Sequence, residues 1–231
     1  MKPICTAVIV AAGKGKRMGG EISKQFLPLC GREILAHTVE RFEQVKEIRD
    51  IILVTSAEAQ QDVWNMAQEY GWKKLRAVVV GGKERQDSVW NGLQAISEDT
   101  EIVLIHDGVR PFVTKEILLY SIDTALEMGG CVAGMPVKDT IKVCDENGVA
   151  VQTLDRSTLF QIQTPQTFRK EIICHAYERA RADGFMGTDD ASLVEHSGYP
   201  IKVIAGSYRN IKITTREDLL IGEAFLKEEQ G

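Results

Sequence analysis

The stretch ICTAVIVAAGKGKRMGG, residues 4–20, decides how the rest of the chain is read. Its first part, Ile4 to Val10, is almost continuously apolar and β-branched, as a parallel strand covered on both faces requires. The loop that follows carries Gly13, Gly15, Gly19 and Gly20, so backbone N–H groups can approach an anion with no Cβ in the way. A strand running straight into such a loop predicts the first unit of an α/β sheet, with a ligand site at the strand's carboxyl end.

Further apolar runs follow at Ile51–Thr55, Arg76–Val80 and Ile102–His106. Between them, Ile34, Leu35, Thr38, Val39 and Phe42 share one helical face. Val63, Met66, Ala67 and Tyr70 do the same, as do Val89, Leu93 and Ile96. This alternation predicts right-handed crossovers and a mostly parallel, Rossmann-like sheet over the first 130 residues. The rhythm then changes. Cys131–Val137 reads as a strand, and Ile141–Val143, Val149–Leu154 and Leu159–Gln163 follow with short gaps. Asn147-Gly148 lies between two of these runs, which predicts a β-hairpin arm inserted at about residues 137–158. Helical period returns over 169–182, strands are predicted at Ile201–Ala205 and Ile211–Thr214, and Thr215 caps a final helix. With no repeat and no linker, residues 1–231 read as a single three-layer α/β domain carrying a β-arm.

Composition narrows the function. A chain of 231 residues with 44% hydrophobic and 26% charged residues is neither disordered, fibrous nor a membrane bundle. A net charge of −5 argues against a nucleic-acid coat. The five cysteines show no Cys-x-x-Cys pair, which points to a reducing compartment. The four histidines show no paired metal spacing, which argues against a zinc enzyme. Ile4–Val10 is too short to span a membrane and lacks a signal-peptide cleavage pattern, so a cytoplasmic protein is expected.

Two familiar phosphate motifs fail. A dinucleotide fingerprint would need a third glycine where Met18 stands, and an acid where Thr55 and Ser56 stand. A Walker loop would need Ser or Thr after Gly-Lys, but Arg17 follows Lys16 and Glu84 follows Lys83. What marks the loop is charge. Lys14, Lys16, Arg17 and Lys24 face the single acid Glu21, a local excess of three positive charges in an acidic chain. Crowded like charges repel unless anions lie between them, so a polyphosphate is the expected occupant.

The segment Ala11-Ala-Gly-x-Gly-x-Arg17-Met18, followed by Lys24-Gln25-Phe26, resembles the signature of sugar-nucleotide pyrophosphorylases and cytidylyltransferases. Gly81-Gly82-x-x-Arg85-x-x-Ser88, His106-Asp107-Gly108-Val109-Arg110-Pro111 and Asp139-Thr140-Ile141-Lys142 narrow it. So do Gln163-Thr164-Pro165-Gln166, Thr188-Asp189-Asp190-Ala191 and Asn210-Ile211-Lys212. In this order, across nearly the whole chain, they resemble the 2-C-methyl-D-erythritol 4-phosphate cytidylyltransferases, nucleotidyltransferases of the non-mevalonate isoprenoid route.

The resemblance implies attack by an acceptor phosphate on the α-phosphorus of CTP, with pyrophosphate leaving. The nucleophile is already ionised, so alignment and charge neutralisation must do the work. It implies that Arg17, Lys24, Arg156 and Lys212 are catalytic. Ala11, Ala12, Gly13, Gly15, Gly82 and Ser88 are expected to bind CTP. Asp107, Arg110, Thr140, Arg156, Thr188 and Lys212 are expected at the acceptor. Mg²⁺ is the implied cofactor, met by Asp107 directly or through water. His106 is expected to be a structural hydrogen-bonding residue. The resemblance further implies a homodimer in which the arm crosses to the neighbouring subunit, bringing Arg156 into the partner's site. The rival readings are a ribitol-5-phosphate cytidylyltransferase and a non-catalytic nucleotide sensor. The Lys138–Lys142 segment and Thr188–Ala191 favour methylerythritol phosphate over ribitol phosphate.

Overall fold

The computed structural model describes residues 3–13 and 23–230. The chain begins with strand β1 (Cys5–Val10). A 3-10 turn (Lys24–Phe26) and the small ribbon β2 (Pro28–Leu29) and β3 (Arg32–Glu33) lead into α1 (Ile34–Glu43). Then come β4 (Ile48–Thr55), α2 (Gln60–Glu69), β5 (Leu75–Val80), α3 (Arg85–Leu93) and β6 (Ile102–Asp107). Helix α4 (Lys115–Met128) returns the chain to β7 (Gly130–Pro136). The arm follows as β8 (Lys142–Cys144) and β9 (Ala150–Thr153), and β10 (Phe160–Arg169) re-enters the core. Helices α5 (Lys170–Asp183) and α6 (Asp190–His196), strand β11 (Lys202–Ala205) and α7 (Arg216–Gln230) complete the fold.

Seven strands form the central sheet in the order β11-β7-β10-β6-β1-β4-β5. All neighbours are parallel except β10, which runs antiparallel to both β6 and β7. Along β1 the side chains alternate between two cores. Cys5, Ala7 and Ile9 pack with residues of α1, α2 and α4, while Val8 packs with residues of α3, α5 and α6. Both faces are therefore covered by helices, the physical reason that the strands read as continuous apolar runs. Because the chain goes from β1 out to β4 and β5 and then returns to β6 on β1's other side, the connection reverses between β1 and β6. That reversal opens a crevice at the strands' carboxyl ends, the usual ligand position in open α/β sheets.

The arm is a separate two-stranded ribbon whose strand residues are all exposed. The Asp145 carboxylate shapes its tip by accepting the N–H groups of Asn147 and Val149, each at 2.9 Å. One sequence expectation is corrected. Residues 211–214 are not a strand, because Ile213 runs past the sheet and is held by one backbone bond to the Val109 carbonyl at 2.9 Å. Cys144 is exposed on the arm, whereas Cys5 and Cys131 are the buried thiols, each raised to about 12 by burial. Among the described residues no helix is long and apolar enough to cross a membrane.

Candidate active site

The loops after β1, β5 and β6 meet over the crevice. The Ala11 N–H donates to the Val54 carbonyl at 2.7 Å, and the Gly81 N–H donates to the Thr55 carbonyl at 2.7 Å. Both loops are thereby tied to the end of β4. Gly81 has to be glycine here: a Cβ would lie 2.4 Å from the Ala12 Cβ and 2.9 Å from Ser88 Oγ. Ser88 closes the second loop by accepting from the Gly82 N–H and donating to the Glu84 carbonyl, each at 3.0 Å. Gln25 fastens the 3-10 turn to the first loop by donating to the Ala11 carbonyl at 2.6 Å.

A cleft of about 320 Å³ lies between these loops, lined by Ala11, Ala12, Gly13, Lys24, Gly82 and Ser88, with Arg85, Asp107 and Lys212 among its further walls. A second cleft of about 310 Å³ adjoins it, lined by Arg110, Thr164, Gln166, Thr188 and Asp189, and again by Arg85, Asp107 and Lys212. Those last three residues form the wall common to both compartments. Asp107, at the end of β6, is almost buried and faces three cations. Lys212 Nζ lies at 2.9 Å, Arg85 Nε at 3.3 Å and Arg110 Nε at 3.4 Å. Burial alone would raise the carboxyl's pKa, but Arg85, Lys212 and Arg110 outweigh it and hold Asp107 far below the ordinary carboxylate range. Arg85 is shared with a second carboxylate, Asp190, so three cations stand against two carboxylates and leave one positive charge to receive an anion.

Arg85 and Asp190 are functional-site residues that sequence reasoning passed over, although both lie inside motifs it singled out. Arg85 reaches from the start of α3 to Asp107, and its Nη2 donates to Asp190 Oδ2 at 2.8 Å. Asp190 is fully buried and also accepts from the Tyr177 hydroxyl at 2.5 Å. Burial opposes Arg85's charge, but Asp190 and Asp107 overcome that and raise its pKa. Burial and Asp190 push the Tyr177 phenol well up.

His106 is satisfied on both ring nitrogens. The Asp107 N–H donates to Thr164 Oγ1 at 3.2 Å, so the Thr164 hydroxyl can donate to His106 Nδ1 at 2.9 Å. His106 Nε2–H donates to the Arg110 carbonyl at 3.1 Å. This assigns a neutral imidazole whose job is to hold the 107–110 turn, in line with the structural role expected from sequence. Burial pushes its pKa down to about 4. The unfolded chain therefore binds more protons between about pH 4 and 6.5, and stability falls as pH drops through that window, by about 3 kcal/mol in all. His106→Gln, which supplies one acceptor and one donor, should flatten that part of the stability profile. Urea unfolding of both proteins across this range checks it; an unchanged slope would contradict the assignment. The depressed carboxyl of Asp107 contributes separately, its stabilisation being lost as pH falls below about 3.8.

Of the expected site residues, Ala11, Ala12, Gly13, Lys24, Gly82, Ser88, Asp107 and Lys212 line the first compartment. Arg110 and Thr188 line the second. Arg17 and Gly15 lie outside the described residues. Thr140 and Arg156 are on the arm, and neither is in the lining of either cleft. Arg156 instead donates through Nη1 to the Lys138 carbonyl at 2.6 Å. Among the described residues no group of three or more His, Cys, Asp or Glu side chains is placed to hold a metal ion. Asp107 is the one carboxylate in the lining of both clefts. Glu84 also lines the first cleft and Asp189 the second. So small a set of carboxylates suits an ion that takes most of its ligands from phosphates and water.

Comparison with known proteins gives the family. The family model for 2-C-methyl-D-erythritol 4-phosphate cytidylyltransferase matches residues 5–228. A curated protein of that name from Geotalea uraniireducens is 51% identical over 225 residues, covering 96% of this chain and 96% of the relative. Its counterpart from Alkaliphilus oremlandii is 48% identical over 223 residues, covering 96% and 94%. Among solved structures, 4-diphosphocytidyl-2C-methyl-D-erythritol synthase of Anaerococcus prevotii superposes with a TM-score of 0.87 at 35% identity, covering 98% of this chain and 97% of that one. A cytidylyltransferase structure from Thermus thermophilus gives 0.78 at 30% identity, covering 96% and 98%. With the family model spanning almost all of it, the chain belongs to the 2-C-methyl-D-erythritol 4-phosphate cytidylyltransferase family.

Proposed function

We propose that this nucleotidyltransferase moves CMP from CTP to 2-C-methyl-D-erythritol 4-phosphate, releasing pyrophosphate. The observation that carries the reading is the pair of adjoining clefts with Arg85, Asp107 and Lys212 as their common wall. Two anionic substrates placed in them would meet across a cationic partition. An oxygen of the acceptor phosphate attacks the α-phosphorus, the new P–O bond forms, and the α–β bond breaks with its electron pair leaving on pyrophosphate. No proton has to be removed from the nucleophile, so no general base is needed. Lys24 and Arg17 stabilise the charge that builds on the α-phosphate oxygens. Lys212 and Thr188 hold the acceptor phosphate, with Arg110 close by.

Mg²⁺ is the proposed cofactor and Asp107 its nearest protein carboxylate, directly or through water. When bound, it neutralises triphosphate charge. The proposed assembly is a homodimer with Arg156 and Thr140 reaching the partner's acceptor cleft. A bare two-stranded ribbon is marginal alone, so packing on a second subunit suits it. The proposed setting is the cytoplasm.

The base is proposed to lie over the first loop and the Gly82–Ser88 turn. The Ser88 proton is spent on the Glu84 carbonyl, so its hydroxyl can only accept further. The Ala11 N–H is likewise spent, on the Val54 carbonyl. Acceptors suit the exocyclic amine of cytosine and not the carbonyl that uracil presents there. With the same acceptor, kcat/KM for UTP is expected about 10²-fold below that for CTP, and ATP lower again. Pyrophosphate release with each nucleotide measures this. Comparable values for all three would remove the cytidylyl assignment.

A further inference from the structure

The loop that carries Thr188 is held from two sides by side-chain amides. On one side, Gln166 of β10 donates through Nε2 to Asp189 Oδ2 at 2.7 Å, and its Oε1 accepts the Ala191 N–H at 2.9 Å. On the other, Gln86 donates through Nε2 to the Phe185 carbonyl at 3.1 Å, and its Oε1 accepts the Gly187 N–H at 3.0 Å. Gln86 is in the first turn of α3, immediately after Arg85 and two residues before Ser88. Its helix therefore belongs to the nucleotide side, while its amide grips the backbone on the acceptor side.

We propose that Gln86 is a positioning residue for the acceptor phosphate, fixing Thr188 through the backbone of Phe185 and Gly187. The inference rests on the function proposed above for the second cleft. Its physical basis is that the loop has no regular structure between α5 and α6 and must be located by contacts from outside. Gly187 supplies one constraint: a Cβ there would lie 2.3 Å from both Leu193 Cδ1 and Ser192 Oγ, so the backbone is pressed onto α6. Gln86 supplies the opposing one. The turn that bears it is itself closed, since Glu84 and Asp87 form a reciprocal capping box and Ser88 ties Gly82 to Glu84. The anchor is thus stiff at its own end. Each of its two bonds reaches a backbone group flanking the short path to Thr188, so losing them lets the hydroxyl drift from a phosphate that needs it within hydrogen-bond reach.

Gln86→Leu keeps the bulk and removes both bonds. The expected result is a KM for methylerythritol phosphate raised about 10-fold, with the KM for CTP within about 2-fold of wild type. Amide exchange over residues 184–190 should quicken in the same variant, with exchange in the sheet strands unchanged. Gln86→Glu, which keeps the acceptor for Gly187 and loses the donor to Phe185, should fall between the two and gives a second reading if the leucine variant folds poorly. An unchanged acceptor KM, a CTP KM that rises in step with it, or unchanged exchange at 184–190 would overturn the proposal. Exchange is read without any acceptor, so it tests the contact even if the wild-type enzyme turned over a different polyol phosphate. Wild-type turnover of a different polyol phosphate would count against the proposed substrate alone.

Discussion

Lys24→Ala should lower kcat by about 10²-fold or more while leaving CTP affinity nearly intact. The reason is where charge appears. In the ground state the triphosphate's charge is spread over several oxygens and met by several partners, so one ammonium matters modestly. In the transition state, charge gathers around the α-phosphate, where a preorganised cation is worth most because no water need reorganise. Lys24 lines the first cleft, and the Gln25 bond to the Ala11 carbonyl fixes the turn that carries it. Arg17→Ala is expected to behave alike on the charge argument drawn from the loop sequence. Single-turnover rates and CTP titration separate the two effects. A normal kcat in both variants would take these residues out of catalysis.

The second large effect is a gain rather than a loss. Arg156→Ala and Lys24→Ala proteins should each be nearly inactive alone. Mixed and allowed to exchange subunits, they should recover activity approaching about half of wild type per heterodimer, because a two-fold dimer then contains one site with every residue intact. That outcome requires Arg156 to serve the partner's cleft. The placement of Arg156 in an exposed 3-10 turn just after the ribbon, outside the lining of its own chain's clefts, is what motivates the test. If Arg156 served its own chain, every site would carry one lesion and the mixture would remain inactive after verified exchange.

Much of this was legible in the residues. The strands β1, β4 and β6 announce themselves because burial on both faces favours apolar residues, the edge strand β5 through its β-branched run, and the charge-dense loop after β1 predicts a phosphate site before any comparison. Other parts were not legible, for physical reasons. Helix α6 is seven residues long and follows a loop, too short for its period to show. The 211–214 run is apolar because it packs with α7 over a small separate core, not because it pairs in the sheet. The partition between the clefts was hidden for a different reason. Arg85 and Asp190 are 105 positions apart, and a sequence does not show that a cation and a carboxylate will meet. Each lay inside a motif, but only the fold pairs them, and the pairing helps fix Arg85 beside Asp107.

The two clefts are proposed to bring CTP and methylerythritol phosphate together across the wall of Arg85, Asp107 and Lys212. Pyrophosphate release from CTP, measured side by side with methylerythritol phosphate and ribitol 5-phosphate as acceptors, tests it most directly. Release should be rapid and stoichiometric with methylerythritol phosphate, and kcat/KM lower by about 10²-fold or more with ribitol phosphate, whose different hydroxyl pattern would leave polar groups of the second cleft unpaired. Equal rates with both acceptors, faster release with ribitol phosphate, or no release with either would contradict it.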